Sequence, residues 1–214
     1  HCRRLVAERN EARNAAKDLR RWQGAGLSPG RVAVNISPVQ LRRRAFADHL
    51  LDLVGEWRNE NLGVDIEITE GVLIDDVSSA VSQLRLLRES GVRIAVDDFG
   101  TGYSSLSRLA ELPVDMLKID RTFVNGLTSS GTGRTVAETI ITLGKAFDMT
   151  TVAEGVETME QFELLAHLGC DQSQGYLHSR PLSVADIEPI IRAGIAPGRP
   201  AMSNHEPTAV ARRG

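Results

Sequence analysis

Residues 92–98 read VRIAVDD, an apolar run that ends in two adjacent acids and precedes the glycine-rich segment FGTG at 99–102. Five further short, β-branched runs are spread along the chain, at 31–36, 64–69, 115–120, 150–154 and, more weakly, around 170–176. Strands that alternate with helices are typical of βα units around a parallel sheet. We therefore predict an α/β fold with six βα units.

Helical patterns occupy the intervals between these runs. The predicted helices lie at 3–22, 39–59, 76–89, 103–111, 133–147, 157–168 and 183–192. Residues 194–214 lose this periodicity and contain three prolines, which favours a disordered or frayed tail. No break in composition divides the rest of the chain, so we predict one domain over residues 1–193.

The composition excludes several classes of function. With a formal net charge of −3 and 4% aromatic residues, the 214-residue chain has neither the basic field nor the stacking platforms that a nucleic-acid polymer needs. No apolar run approaches the ~18–20 residues that span a bilayer. The two cysteines, Cys2 and Cys170, are too few for a disulfide framework, which favours a cytoplasmic protein.

Polar residues lie at the carboxyl end of every predicted strand. Strands that helices cover on both faces should be nearly all apolar, so these positions need an explanation. In parallel barrels and open α/β sheets, the carboxyl ends of the strands are where ligands bind. The candidate site residues are Asn35, Glu67, Glu70, Asp97, Asp98, Lys118, Asp120, Glu154, Glu157 and Gln174.

The chemistry of this set indicates a divalent metal. Carboxylate and amide oxygens, without thiolate or imidazole, suit Mg²⁺ or Mn²⁺ better than Zn²⁺. Asp97 and Asp98 repel each other unless a cation lies between them, and Lys118 in an apolar strand is costly unless it is paired. Such a site fits phosphodiester hydrolysis by two metal ions.

Each residue also has a structural interpretation. Asn35 is compatible with a helix cap, Asp97-Asp98 with a turn, and Glu70 and Glu157 with first-turn helix acids favoured by the helix dipole. We interpret His167 and His178 as structural, because neither has a second histidine or cysteine at metal-ligand spacing. Asp98-Phe99-Gly100 matches the metal motif of protein kinases, but the other kinase motifs are absent from the chain.

The chain resembles the EAL-domain family of cyclic di-GMP phosphodiesterases over about residues 1–192. The matching stretches, in family order, are VAVNIS at 32–37, EITE at 67–70, DDFGTGYSSL at 97–106, LKID at 117–120, VAEGVE at 152–157 and QGY at 174–176. The resemblance implies a TIM-like (β/α)₈ barrel. It also implies metal-dependent hydrolysis of one phosphodiester bond of cyclic di-GMP to linear pGpG, in bacterial signal transduction.

The resemblance implies a role for each candidate residue. Asn35, Glu67 and Asp97 would hold one metal ion, with Asp97 shared, and Asp98 and Glu154 would hold the second. Lys118 would position or help to deprotonate the attacking water, with Gln174 beside it. Asp120 and Glu157 would support the site. Glu70 would anchor the loop 99–106, which the family links to homodimerisation and to substrate and metal binding. His178 replaces the usual phenylalanine, and we expect a small effect.

The chain departs from the family pattern because it contains no Glu-Ala-Leu, the tripeptide whose glutamate is a metal ligand. Because the barrel of the family has eight units and this chain has six, we expect the two missing strands upstream of His1. The chain is then either a fragment of a longer protein or a truncated relative, and an upstream regulatory domain is compatible with the first alternative. We expect weak activity, or none, of the segment alone. Two functions remain open. One is a phosphodiesterase, and the other is a non-catalytic cyclic di-GMP receptor or interaction module. A different metal-dependent barrel enzyme would require all six matches to be accidental.

Overall fold

The computed structural model describes residues 17–27 without 19 and 23, 31–43, 46–52 without 49, 63–73, 78–102, 106–128 and 131–192. In this part of the chain, six parallel strands form one sheet in sequence order. The strands are β1 (Arg31–Ile36), β2 (Gly63–Thr69), β3 (Arg93–Phe99), β4 (Met116–Ile119), β5 (Thr150–Ala153) and β6 (Gln172–Ser173). The predicted α/β fold with six βα units is confirmed.

The helices follow the strands as expected for a TIM-like barrel. They are α1 (Pro38–Leu41), a 3₁₀ helix (Glu70–Leu73), α2 (Ser78–Glu89), α3 (Leu106–Glu111), α4 (Arg121–Asn125), α5 (Gly131–Ala146), α6 (Met159–Leu168) and α7 (Val184–Arg192). The sequence did not predict the 3₁₀ helix or α4. The predicted helix 39–59 is interrupted by a turn at residue 42. The predicted tail 194–214 and the first part of the predicted helix 3–22 lie outside the described residues.

The outer face of the sheet packs against the helices. Residues at alternate strand positions, such as Ile66, Ile94 and Leu117, are fully buried in one core with Leu84 and Ile140 of the helices. Because side chains alternate between the faces of a strand, the intervening residues lie on the inner face. There, Ala95, Met116 and Val152 form a separate small apolar cluster.

The inner face is charged on both sides of this apolar cluster. Toward the amino ends of the strands, Asp65 accepts hydrogen bonds from Arg31 Nε at 2.6 Å and from Arg93 Nε and Nη2 at 3.0 Å each. We call these three residues the lower cluster. Toward the carboxyl ends, the same face carries Glu67 and Lys118, which belong to the candidate site.

A bulge in β3 changes the direction of its side chains. Val96 pairs with Leu117 and Phe99 with Ile119, so β3 has one more residue than β4 across this interval. Asp98 takes up the extra residue with φ of 52°, in the left-handed region. Phe99 thereby returns to the outer core, and Asp97 and Asp98 are both left at the rim of the sheet.

The helical residues before β1 pack against α7. Trp22 and Leu27 are buried against Ile187 and Ile191, and Trp22 Nε1 donates to Glu188 Oε1 at 3.0 Å. The two ends of the described chain are therefore held together. Among the described residues, none of the helices combines the length and apolar character that a bilayer crossing requires.

Candidate active site

Lys118 lies at the centre of a cluster of carboxylates. Its Nζ is 2.8 Å from Glu67 Oε2, 2.8 Å from Asp97 Oδ1 and 2.5 Å from Glu154 Oε1. These residues come from β2, β3 and β4 and from the position that follows β5, and parallel pairing brings their carboxyl ends to one edge. With Asp98 they form what we call the upper cluster.

The upper cluster perturbs the ionisation of its members. Burial alone would lower the pKa of Lys118, but hydrogen bonds from its ammonium to Asp97, Glu154 and Glu67 raise this pKa above its ordinary value. Burial raises the pKa of Glu154, and the charges of Asp97 and Glu67 act in the same direction against the lowering effect of Lys118. The ammonium therefore stays charged and holds the carboxylates together.

Asp98 and Asp120 form a hydrogen-bonded pair beside the cluster. Burial, the hydrogen bond to Asp120 and the charge of Asp97 raise the pKa of Asp98. Burial would also raise the pKa of Asp120, but this carboxylate caps α4 and accepts from Thr122 N at 2.8 Å and from the Thr122 hydroxyl, so its pKa is lowered. The pKa values of the two carboxyl groups are therefore shifted in opposite directions, upward for Asp98 and downward for Asp120.

A backbone contact holds Gln174 next to Glu154. Gln174 Nε2 donates to Glu154 Oε1 at 2.9 Å. Val156 N donates to Gln174 O at 3.0 Å, and Leu177 N donates to Val156 O at 2.9 Å. Gly175, with φ of 153°, lies so close that an added Cβ would be 2.3 Å from Val156 N and O. A side chain at residue 175 would force the two segments apart.

Glu70 holds the loop that follows β3. Its Oε2 accepts from Gly100 N at 3.1 Å and from Gly102 N at 3.0 Å, and the residue is buried. Gly100 has φ of 96°, and an added Cβ would be 3.1 Å from Phe123 and Ile140. Glu70 also begins the 3₁₀ helix, so both of its sequence-based interpretations describe its position.

A cavity of about 480 Å³ opens beside the upper cluster. Its walls include Glu154, Gln174, Arg121, Tyr176 and Arg180, with Ile187 of α7 on the far side. The guanidinium of Arg180 lies 4.8 Å from the centre of the Tyr176 ring, which is half exposed. Cavities of this size are typical of small-molecule sites, and arginines beside an aromatic ring are groups that suit an anion with a planar group.

The structure brings most of the predicted residues together, and two lie at the margin. Asn35 pairs in register with Glu67, so the two lie on the same face, but Asn35 is exposed. Glu157 is exposed in the cavity wall, just before the cap of α6 at Thr158. The interpretation of Glu157 as a first-turn helix acid is therefore wrong, because Glu157 precedes the N-cap Thr158 and α6 begins at Met159.

Sequence reasoning missed several residues of this region. Arg121 and Arg180 line the cavity, and Gln161 Oε1 accepts from Glu157 N and Thr158 N at 2.8 and 3.1 Å. The Thr-x-x-Gln pattern of a capping box at 158–161 could have revealed Gln161. Nothing in the local sequence indicates that the two arginines face one cavity.

The donor set fits a hard divalent cation. Asp97, Asp98 and Glu154 each offer an oxygen, and these oxygens lie within 4.8 Å of one another. Asp97 Oδ1 is buried without a hydrogen bond of normal geometry, and its close neighbour is the Lys118 ammonium. Four carboxylates against one ammonium leave an excess of negative charge, which a cation would offset.

Comparison with known proteins agrees with this architecture. The family model described as EAL domain matches residues 7–181, and the chain therefore belongs to the EAL domain family. The cyclic di-GMP phosphodiesterase NbdA of Pseudomonas aeruginosa is 39% identical over 181 residues, which cover 85% of this chain and 23% of NbdA. The oxygen sensor protein DosP of Escherichia coli is 36% identical over 173 residues, which cover 81% of this chain and 22% of DosP.

Solved structures give the same assignment. The EAL domain of Mycobacterium smegmatis DcpA has a TM-score of 0.78 at 36% identity, covering 88% of this chain and 83% of that one. The PaMucR phosphodiesterase in its c-di-GMP complex has a TM-score of 0.76 at 34% identity, covering 86% and 75%. The chain spans only about a quarter of the length of the curated relatives that it matches.

Proposed function

We propose that this domain hydrolyses cyclic di-GMP to linear pGpG, with Mg²⁺ or Mn²⁺ as cofactor. The observation that carries the proposal is the upper cluster, an excess of carboxylates around one buried lysine at the carboxyl ends of the strands. Two relatives that are named cyclic di-GMP phosphodiesterases, NbdA and PA2567 of Pseudomonas aeruginosa, support the choice of reaction.

The oxygen ligands divide between two metal ions in this proposal. Asn35, Glu67 and Asp97 would hold one ion, and Asp98 and Glu154 the other, with Asp97 shared. When bound, the ions supply an activated water and charge stabilisation at the phosphate. A structure of Klebsiella pneumoniae BlrP1 is described as a calcium and cyclic di-GMP complex, which supports the combination of a divalent cation with this substrate.

The protein's own residues would position the reactants and move the proton. Lys118 and Gln174 both contact Glu154 Oε1, so the three groups form one hydrogen-bonded unit at which a water can be held. Asp120 would keep Asp98 in place, and Glu157 would contribute from the cavity wall. The cavity beside Glu154 would take part of the nucleotide, because its arginines and Tyr176 suit phosphate and base.

The test is an assay of the full-length protein with cyclic di-GMP. We expect pGpG to form with Mn²⁺ or Mg²⁺ and not in excess EDTA. Calcium should inhibit, because its larger and more irregular coordination suits a two-metal clamp poorly. Turnover that persists in EDTA would contradict the metal assignment, and hydrolysis of other phosphodiesters at the same rate would contradict the substrate.

A second candidate is a non-catalytic cyclic di-GMP receptor. The absence of Glu-Ala-Leu from these 214 residues favours it, because the resemblance assigns a metal ligand to that glutamate. Binding measured by calorimetry in the presence of Mn²⁺, without pGpG formation, would select the receptor. In this proposal residues 1–214 alone have weak turnover, and the specific activity of that segment in the same assay tests this expectation.

The same proposal extends to partners and location. A homodimer would form through the loop 99–106, and Leu106, which is 57% exposed at the start of α3, supports an apolar contact there. A preceding regulatory domain is in keeping with relatives about four times the length of the matched segment. A cytoplasmic location follows from the proposed substrate, an intracellular second messenger.

A further inference from the structure

The turn after β6 carries three cavity residues, Gln174, Gly175 and Tyr176, and His178 closes this turn. His178 Nε2 is 2.8 Å from Ser173 Oγ, and His178 N donates to Gly175 O at 3.0 Å. The imidazole meets Phe162 of α6 edge to face, with ring centres 6.0 Å apart. One side chain therefore joins the beginning of the turn, its end and the helix behind it.

The second nitrogen of this imidazole has a different environment. Nδ1 is buried and has no hydrogen-bond partner among the described residues. In the neutral ring with the proton on Nε2, this nitrogen is an unused acceptor, which is a modest cost. In the protonated ring it becomes a charged donor without an acceptor, a much larger cost. The arrangement therefore selects the neutral ring.

Among the described residues, no charged group is paired with the His178 ring. Asp171 accepts from Thr151 N at 2.8 Å and from its hydroxyl at 2.7 Å, and Arg180 lies over Tyr176. Other titratable groups of the neighbouring elements include the half-buried Cys170 and the exposed Glu157, Glu160, Glu163 and His167. Burial lowers the pKa of His178, and no ionised group among the described residues contributes to the shift.

We propose that His178 is a positioning residue, which in its neutral form holds the turn 173–178 so that Gln174 reaches Glu154. The proposal rests on the proposed hydrolysis for its effect on turnover. Gln174 is one residue from Ser173, so a turn that loosens at the Ser173–His178 bond also loosens the 2.9 Å contact between Gln174 Nε2 and Glu154 Oε1. Acid would therefore weaken the site through this turn, in addition to its direct effect on carboxylates.

The first test compares pH profiles of full-length variants with cyclic di-GMP and Mn²⁺. His178→Phe keeps the contact with Phe162 but cannot be protonated, and His167→Gln removes an exposed histidine as a control. We divide kcat of His178→Phe by kcat of wild type at each pH. This ratio should rise by about fivefold between neutral pH and about pH 5.5, because protonation of wild-type His178 creates one buried donor without an acceptor. If kcat of His178→Phe and kcat of wild type fall equally as the pH is lowered, the proposal is overturned.

A second measurement does not depend on turnover. In wild-type protein, ring NMR signals should give His178 a pKa below the ordinary value, and the amide signals of Gly175 and Tyr176 should titrate with it. Ser173→Ala should weaken this coupling. If the amide signals of Gly175 and Tyr176 do not shift when His178 is protonated, the proposal is overturned even if hydrolysis is confirmed. Failure of hydrolysis at every pH, with coupled signals, would overturn the proposed function and leave the positioning role supported.

Discussion

The upper and lower clusters lie on the inner face of the same sheet, but their charges are matched in opposite ways. In the lower cluster, two guanidiniums satisfy both oxygens of the single carboxylate of Asp65. In the upper cluster, several carboxylates compete for the single ammonium of Lys118. Buried charge alone therefore does not indicate a functional site. An excess of negative charge does, because a cluster with such an excess requires an additional cation.

The largest effect that separates the clusters is expected at Asp97. Asp97→Asn should reduce turnover of the full-length protein by at least about a hundredfold. Mutating a residue that merely hydrogen-bonds to a metal ligand can already cause a loss of this size, and Asp97 is itself a proposed ligand. Its melting temperature without metal should be unchanged or higher, because one repelling charge is removed. A clearly lower melting temperature would show that Asp97 is structural.

Lys118 gives the next largest effect, and it is expected in two measurements. Lys118→Met should lower turnover by roughly a hundredfold, within the range for a proton-transfer group. It should also lower the melting temperature without metal and enlarge the increase on adding Mn²⁺, because the carboxylates lose the ammonium that they share. Lys145→Met, at an exposed lysine of α5, is the matched control. Equal metal-induced shifts in both variants would contradict this account of the cluster.

The lower cluster should respond to mutation in stability alone. Asp65→Asn leaves two arginines without their carboxylate, and we expect a loss of about 1–3 kcal/mol in the free energy of unfolding, at the lower end because both guanidiniums are partly exposed. Turnover per folded molecule should be unchanged. Urea unfolding and the kinetic assay on the same preparation measure both quantities, and lost turnover at full stability would place Asp65 in the chemistry.

Among the three variants expected to lose turnover, the smallest loss is expected at Glu70, which reaches the site through the loop after β3. Glu70→Ala should lower kcat by roughly tenfold, since outer-shell partners contribute at least that much, with little change in melting temperature. The loss would follow from the release of Gly100 N and Gly102 N. Glu160→Ala removes an exposed first-turn acid of α6 as the control. If both variants keep wild-type kinetics, Glu70 is no more than a helix acid.

The sequence predicted the strands and the meeting of their polar ends, because position on a parallel strand determines position at the rim. Glu67, Lys118 and Glu154 could therefore be grouped although dozens of residues separate them. The sequence did not predict that a bulge with Asp98 at φ of 52° leaves both acids at the rim, because this depends on pairing with β4. It also missed the lower cluster, whose arginines are 34 and 28 residues from Asp65.

The excess negative charge of the upper cluster is what we propose binds a divalent cation. Calorimetric titration of Mn²⁺ into full-length wild type, Asp97→Asn and Asp65→Asn tests it most directly, at a temperature where all three are folded. We predict binding to wild type and Asp65→Asn with similar affinity, and binding to Asp97→Asn that is at least about tenfold weaker. Equal affinity of Asp97→Asn and wild type would contradict the account.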